Sequence, residues 1–295
     1  MVQSTHNKQH ARINMGNILW LASYPKSGNT WLRVFIENYL ANQAKAIDIN
    51  QIHQKSIDEV KAFRYQNYVG GGQKTTDLAT EDLCAMRPMV HADIAAEAQG
   101  TVFVKSHNFQ GEYKGYPLHN WQVSSGAIYV VRNPLDVAVS MANYFDQSID
   151  EAIGYLAEDM TGTPNEPENV PQIITSWSMH VKSWTENEDE RNKLVLRYED
   201  MLENPRKAFR KVESLLGMKR NPARLMRAIK HASFNQMKAQ EEKKGFVEKH
   251  ENAQSFFRKG RKDQWQDVLT PEQVTRIVER HREQMERFKY IPKGY

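Results

Sequence analysis

Residues 17–33 read Asn-Ile-Leu-Trp-Leu-Ala-Ser-Tyr-Pro-Lys-Ser-Gly-Asn-Thr-Trp-Leu-Arg. Ile18 to Ala22 is an unbroken apolar run, which suits a strand buried on both faces, as in a parallel sheet. Ser23 to Asn29 is rich in turn formers. Leu32, Phe35, Ile36, Tyr39 and Leu40 then recur at i, i+3, i+4, i+7 and i+8, the period of an amphipathic helix. A strand, a loop of small residues and a helix aim loop amides and the positive end of the helix dipole at an anion. The stretch predicts a phosphate cradle.

The loop resembles a Walker A loop, Gly-x-x-x-x-Gly-Lys-Ser/Thr, with Gly28 and Thr30 in register. Ser23 stands in place of the first glycine and Asn29 in place of the lysine, which has moved upstream to Lys26. A lysine after Gly28 would serve a β/γ-phosphate pair. Its displacement points to a ligand with one terminal phosphate group at this end. Gly-Asn-Thr alone would be explained by an ordinary strand–helix turn; the whole string Tyr24 to Trp31 argues for the cradle.

The chain has 295 residues, enough for one large α/β domain or two small ones, and its 40% hydrophobic and 26% charged residues suit a soluble globular protein with ample core. A net charge of +4 fits an anionic ligand and is too small to argue for nucleic acid. Cys84 is the only cysteine, which excludes a disulfide framework and a cysteine metal cluster. No apolar run approaches the roughly 18–20 residues that span a bilayer. Residues 1–16 are polar with no apolar leader region and read as a tail, leaving 17–295 as a single domain in a cytoplasmic enzyme.

Three further strands are expected. Thr101 to Lys105 ends at Ser106-His107, and Gly126 to Val131 ends at Arg132-Asn133-Pro134. Lys193 to Arg197 ends at Tyr198-Glu199-Asp200. Ligands of open parallel sheets bind beyond the strands' C-terminal ends, which places His107 and Arg132 on the cradle's edge. Asn133 and Pro134 suit the cap and first turn of a helix carrying Ser140. Residues 41–100 read as polar and helical around Gly70-Gly71-Gly72, and 146–171 as a long polar connection. Ile174, Trp177, Val181 and Trp184 form a core stripe. Asn204-Pro205, Asn221-Pro222 and Thr270-Pro271-Glu272-Gln273 are helix starts. Within the charged stretch 238–262, Arg258-Lys259-Gly260 is suited to close over an anion.

Four segments together resemble the soluble, cytosolic type of sulfotransferase that uses 3′-phosphoadenosine 5′-phosphosulfate (PAPS). They are Tyr24 to Trp31, Arg132 to Ser140, Tyr198 to Met201 with Asn204-Pro205, and Phe257 to Gly260 with Trp265 downstream. Lys105-Ser106-His107 falls where that family has its catalytic histidine. The resemblance implies a three-layer α/β fold, a central mostly parallel sheet flanked by helices. It implies that Lys26, Ser27, Gly28, Asn29 and Thr30 bind the 5′-phosphosulfate and that Trp31 stacks near the adenine. Arg132 and Ser140 would hold the 3′-phosphate, and Arg258, Lys259 and Gly260 would close on it. Tyr198 would contact the adenine, as would Ser233 and Phe234, although Ala232 stands where the family has threonine. Thr270-Pro271-Glu272 does not match the dimerisation motif of animal members, so a homodimer is left open.

The reaction so implied moves a sulfuryl group from PAPS to a hydroxyl or amine of a small-molecule acceptor, leaving adenosine 3′,5′-bisphosphate (PAP). His107 would be the general base, Lys26 would stabilise the leaving phosphate and Lys105 would assist, with no metal required. Loops 63–75, 108–122, 145–171 and 236–257 would shape the acceptor pocket. Phe109, Tyr113, Tyr116, Tyr144 and Phe145 would line it, unless they are core. Two rivals remain at this stage. A P-loop kinase or NTPase is disfavoured by Lys26 and Asn29. A non-catalytic nucleic-acid-binding protein gives no reason for His107 beside Lys105.

Overall fold

A computed structural model describes residues 17–54, 56–186, 192–250 and 252–295; the predicted tail, 1–16, lies outside the described residues. The strands are β1 (Ile18–Ser23), β2 (Ser56–Asp58), β3 (Val102–Ser106), β4 (Glu112–Tyr113), β5 (Tyr116–Pro117), β6 (Ser124–Val131) and β7 (Asn192–Arg197). β2, β3, β1, β6 and β7, in that spatial order, form one sheet in which every neighbouring pair is parallel. β4 and β5 make a separate antiparallel hairpin.

The apolar run of β1 divides between two cores. Ile18, Trp20 and Ala22 join a cluster on one face of the sheet, and Leu19 and Leu21 join another on the opposite face. β6 divides the same way, with Ala127, Tyr129 and Val131 against Ile128 and Val130. The first face is covered by α2 (Ala62–Tyr65), α3 (Thr80–Glu97), α4 (Pro134–Phe145), α5 (Ile149–Ala157), α6 (Trp177–Thr185) and α11 (Pro271–Arg287). The second is covered by α1 (Asn29–Ala41), α7 (Tyr198–Glu203), α8 (Pro205–Leu215), α9 (Pro222–His231) and α10 (Phe234–Lys244). This is the expected three-layer arrangement.

Several helix starts fall where side-chain caps place them. Asn133 accepts from Leu135 N–H, Asn204 from Lys207 N–H and Asn221 from Arg224 N–H. Thr270 and Gln273 complete a reciprocal capping box. Two expectations are corrected. Residues 41–100 contain β2, a three-residue edge strand too short to show a period of two. Residues 146–171 contain α5, whose own capping box joins Ser148 and Glu151. Among the described residues, no helix is long and apolar enough to cross a membrane.

Because the sheet is parallel, the strands' C-terminal ends share one edge. β1 delivers the loop at Tyr24, β2 delivers Asp58 and Glu59, β3 delivers His107, β6 delivers Arg132 and β7 delivers Tyr198. β1 has β3 on one side and β6 on the other, so its end is the switch point where the chain's progression across the sheet reverses.

Candidate active site

A cavity of about 790 Å³ opens along this edge. Lys26, Gly28, Asn29, Thr30, Trp31, Lys105, His107, Arg132, Ser140, Tyr198, Phe234, Arg258, Lys259 and Gly260 all border it. Two expected residues do not. Ser27 is fully buried with its Oγ unpaired, and Ser233 precedes α10 without a side-chain cap bond.

The cradle is held by backbone conformation. Lys26 and Gly28 have φ of 64° and 104°. A Cβ on Gly28 would meet Tyr198 Cδ2 at 2.7 Å, so the Tyr198 ring closes on the loop only because residue 28 is glycine. Gly28 is also the N-cap of α1, and no side chain caps that helix, which leaves its first amides open. Asn29 turns inward, its Nδ2 donating to Leu21 O at 2.8 Å. The Lys26 ammonium lies 3.3 Å from the Tyr144 ring centroid and 4.5 Å from that of Phe256. Burial, and then the neighbouring Arg132, lower its pKa to about 7.

Arg132 ties β6 to the cradle. One guanidinium nitrogen donates to Lys26 O at 2.9 Å, and the group stacks 4.3 Å from the Tyr198 ring centroid. Among the described residues its buried Nε has no hydrogen-bond partner. Arg258 donates to Gln264 Oε1 at 2.9 Å, and burial and Arg132 both lower its pKa. The segment bearing Arg258 is anchored by Asp136 in the first turn of α4, which accepts from Asp263 N–H at 2.8 Å and Trp265 N–H at 3.1 Å. Gly260, at φ 56°, packs so closely on Phe234 that a Cβ would lie 2.1 Å from the ring.

His107 is tethered through its backbone and through Nδ1. Its N–H donates to Gln172 Oε1 at 3.1 Å, and its carbonyl accepts from His180 Nε2 at 3.1 Å. Its Nδ1 lies 2.7 Å from the Ser23 carbonyl. A carbonyl only accepts, so Nδ1 carries the proton and Nε2 is left as the acceptor. Burial, and then Lys105, lower its pKa to about 4, so the ring is neutral near pH 7. Lys105 pairs with Asp58 at 2.9 Å.

Sequence reasoning passed over several residues here. Glu248 accepts from Thr30 Oγ1 at 3.3 Å and from Arg33 at 2.7 Å. Burial alone would raise its pKa, but Arg33 and Lys105 outweigh that and hold it at about 2. Asp58, Asp136, Gln172 and His180 were legible as polar residues near motifs, and nothing in the sequence pairs them with the groups they hold. The acceptor side is also corrected. Tyr144 and Phe145 border the cavity, joined by Met141, Tyr155, Ile174 and Val247. Phe109 and Tyr113 instead pack on Cys84, Leu118 and Ile173, and loops 63–75 and 108–122 supply none of the wall.

A cradle at a sheet switch point, with a neutral histidine beyond the strand on one side of it and Arg132 beyond the strand on the other, suits an α/β group-transfer enzyme. Residues 17–289 match the sulfotransferase domain family, and the chain belongs to that family of PAPS-dependent sulfotransferases. Sulfotransferase 1B1 of the dog, Canis lupus familiaris, is 30% identical over 262 residues, covering 85% of this chain and 77% of that protein. Sulfotransferase 1E1 of Bos taurus is 27% identical over 247 residues, covering 80% and 71%. In fold, the chain is similar to mouse sulfotransferase SULT7A1 complexed with PAP, with a TM-score of 0.60 and 22% identity over 91% of this chain and 84% of that one. It is similar also to retinol dehydratase in a complex with retinol and PAP, with a TM-score of 0.61 and 18% identity over 93% and 83%.

Proposed function

We propose that this sulfotransferase moves the sulfuryl group of PAPS to a hydroxyl or amine of a small-molecule acceptor, with His107 as general base, Lys26 stabilising the leaving phosphate oxygen and Lys105 assisting. The observation that carries the reading is the bond from His107 Nδ1–H to the Ser23 carbonyl, which leaves Nε2 as the ring's acceptor in a residue that borders the cavity beside the cradle. Groups along the donor side fit a bisphosphate nucleotide. The uncapped end of α1 suits the 5′-phosphosulfate. Arg132, Arg258 and Lys259, with Ser140, suit the 3′-phosphate, and Trp31, Tyr198 and Phe234 suit the adenine. Asn29 Oδ1, Trp31 Nε1 and Arg132 Nε, buried without partners among the described residues, are polar atoms that a bound donor or its waters would satisfy.

Nε2 takes the acceptor's proton as the acceptor oxygen bonds to sulfur. Lys26 would stabilise the charge left on the 5′-phosphate oxygen when the sulfur–oxygen bond of bound PAPS is broken. The acceptor lies against Tyr144, Phe145, Tyr155 and Met141. The reading extends to a cytoplasmic enzyme that works without a nucleic-acid partner.

The test is His107→Ala. Loss of a general base costs about 10²–10⁴-fold in rate. Turnover of labelled PAPS with a panel of phenols, alcohols and amines is expected to fall by that factor while the Kd for PAP stays unchanged. Activity equal to the parent's would overturn the assignment.

A further inference from the structure

Beneath the cavity edge lies a cluster that the reaction does not touch. Glu59, the residue after β2, is fully buried and does not border the cavity. Its Oε1 accepts from Ser106 Oγ at 2.6 Å and from Asn108 Nδ2 at 2.7 Å. Its Oε2 accepts from Arg87 at 2.8 Å and lies 3.0 Å from His91 Nε2. Four donors to one carboxylate make a dense polar centre in a dry interior.

The two residues gripped by Oε1 are the immediate neighbours of His107 in the chain. Asp58, directly before Glu59, holds Lys105. Consecutive carboxylates at the end of β2 therefore fasten residues 105, 106 and 108 around residue 107. Arg87 extends the grip, because its other terminal nitrogen donates to the Pro171 carbonyl, and Gln172 accepts the His107 N–H. Asn108 Oδ1 in turn accepts from Ile173 N–H at 2.7 Å. An ion pair kept only for stability would have no need to span both sides of the histidine, and buried pairs add little net stability over apolar packing.

We infer that Glu59 is a positioning residue for the transfer reaction: by clamping Ser106 and Asn108 it holds the His107 ring against the Ser23 carbonyl and so keeps Nε2 aimed at the acceptor. This rests on the proposed role of His107 as base. A misplacement of about 1 Å in a catalytic group can cost on the order of 10²-fold in rate.

The experiment uses Glu59→Gln and Ser106→Ala in the full chain, with His107→Ala alongside. Glu59→Gln strands Arg87, so Ser106→Ala, which leaves the ion pair whole, decides the question if Glu59→Gln fails to fold. The first readout is the His107 Nδ1–H proton in NMR. Shielded by the Ser23 carbonyl, it gives a slowly exchanging low-field signal identified by its absence in His107→Ala. The second is kcat and KM with the acceptor that the parent sulfates fastest, beside the Kd for PAP. The expected result is loss or rapid exchange of the Nδ1–H signal and a kcat lowered 10- to 100-fold, with PAP binding within twofold of the parent. A retained signal in a folded variant, or a kcat within twofold of the parent's, overturns the inference. The NMR readout needs no acceptor. If His107→Ala stays active, the general-base reading fails instead, whatever the Glu59 variants do.

Discussion

Lys26 carries a conflict that its proposed role explains. It sits at a positive φ of 64°, partly enclosed between two aromatic rings and near Arg132. Burial and that arginine bring its pKa to about 7. An anion in the cradle reverses the balance, since a negative neighbour favours the charged ammonium. Binding PAP therefore draws a proton onto Lys26 at any pH above about 7, and affinity falls as pH rises through that value. The loss approaches tenfold per pH unit for one coupled proton. Titrating PAP calorimetrically from pH 7 to 9 is expected to show this slope, with proton uptake that varies with buffer ionisation heat. In Lys26→Met the slope should vanish. A flat profile in the parent would mean that PAP binding draws no proton onto Lys26.

At the scale of elements, the site is assembled by tethers between segments distant in sequence. The clearest is Asp136, which sits in the first turn of α4, where a carboxylate is favoured by the helix dipole. It holds the Asp263 and Trp265 amides and thereby the loop bearing Arg258 and Gly260. Asp136→Asn replaces one acceptor with a donor facing an amide. The expected outcome is a PAP Kd raised roughly 10- to 100-fold, in line with the roughly 1.5–3 kcal/mol typical of a lost charged hydrogen bond. The kcat at saturating donor should stay near the parent's, because His107 is held from other elements. A kcat that falls with unchanged PAP affinity would contradict the tether. Such tethers also mark the limit of what the sequence discloses. The cradle, His107 and Arg132 were legible because each follows a strand whose apolar period is local. Asp136 to Trp265, Glu59 to Asn108 and Gln172 to His107 join residues that only the fold brings together, and no local pattern encodes those pairs. α5 is a different case, since Ser148, Glu151 and the spacing of Ile149, Ala152, Ile153 and Leu156 announce a helix, while the glycine and prolines at 162–171 make the stretch read as open connection.

For the whole molecule, the buried histidines set the response to acid. His91, His107, His119, His180 and His281 all have lowered pKa values, chiefly through burial, with His107 at about 4 and His119, His180 and His281 at about 3. An unfolded histidine takes up its proton near pH 6.5, and the folded ones do not until far lower. Below pH 6.5 the unfolded chain therefore binds more protons than the native one, and stability drops as pH falls. Each such group contributes up to about 1.4 kcal/mol per pH unit. Glu248 and Glu59, both held below the usual carboxylate range, add to the loss below about pH 4.5, whereas Glu199 and Asp136, both raised by burial, oppose it. Domains of this kind are stable by about 5–15 kcal/mol, so these histidines acting together exhaust that margin within roughly two pH units. Circular dichroism and tryptophan fluorescence are expected to report cooperative acid unfolding centred near pH 5, with an uptake of several protons at the midpoint. A chain still native at pH 4 would mean that these rings take up protons within the fold, at pKa values nearer the ordinary histidine value.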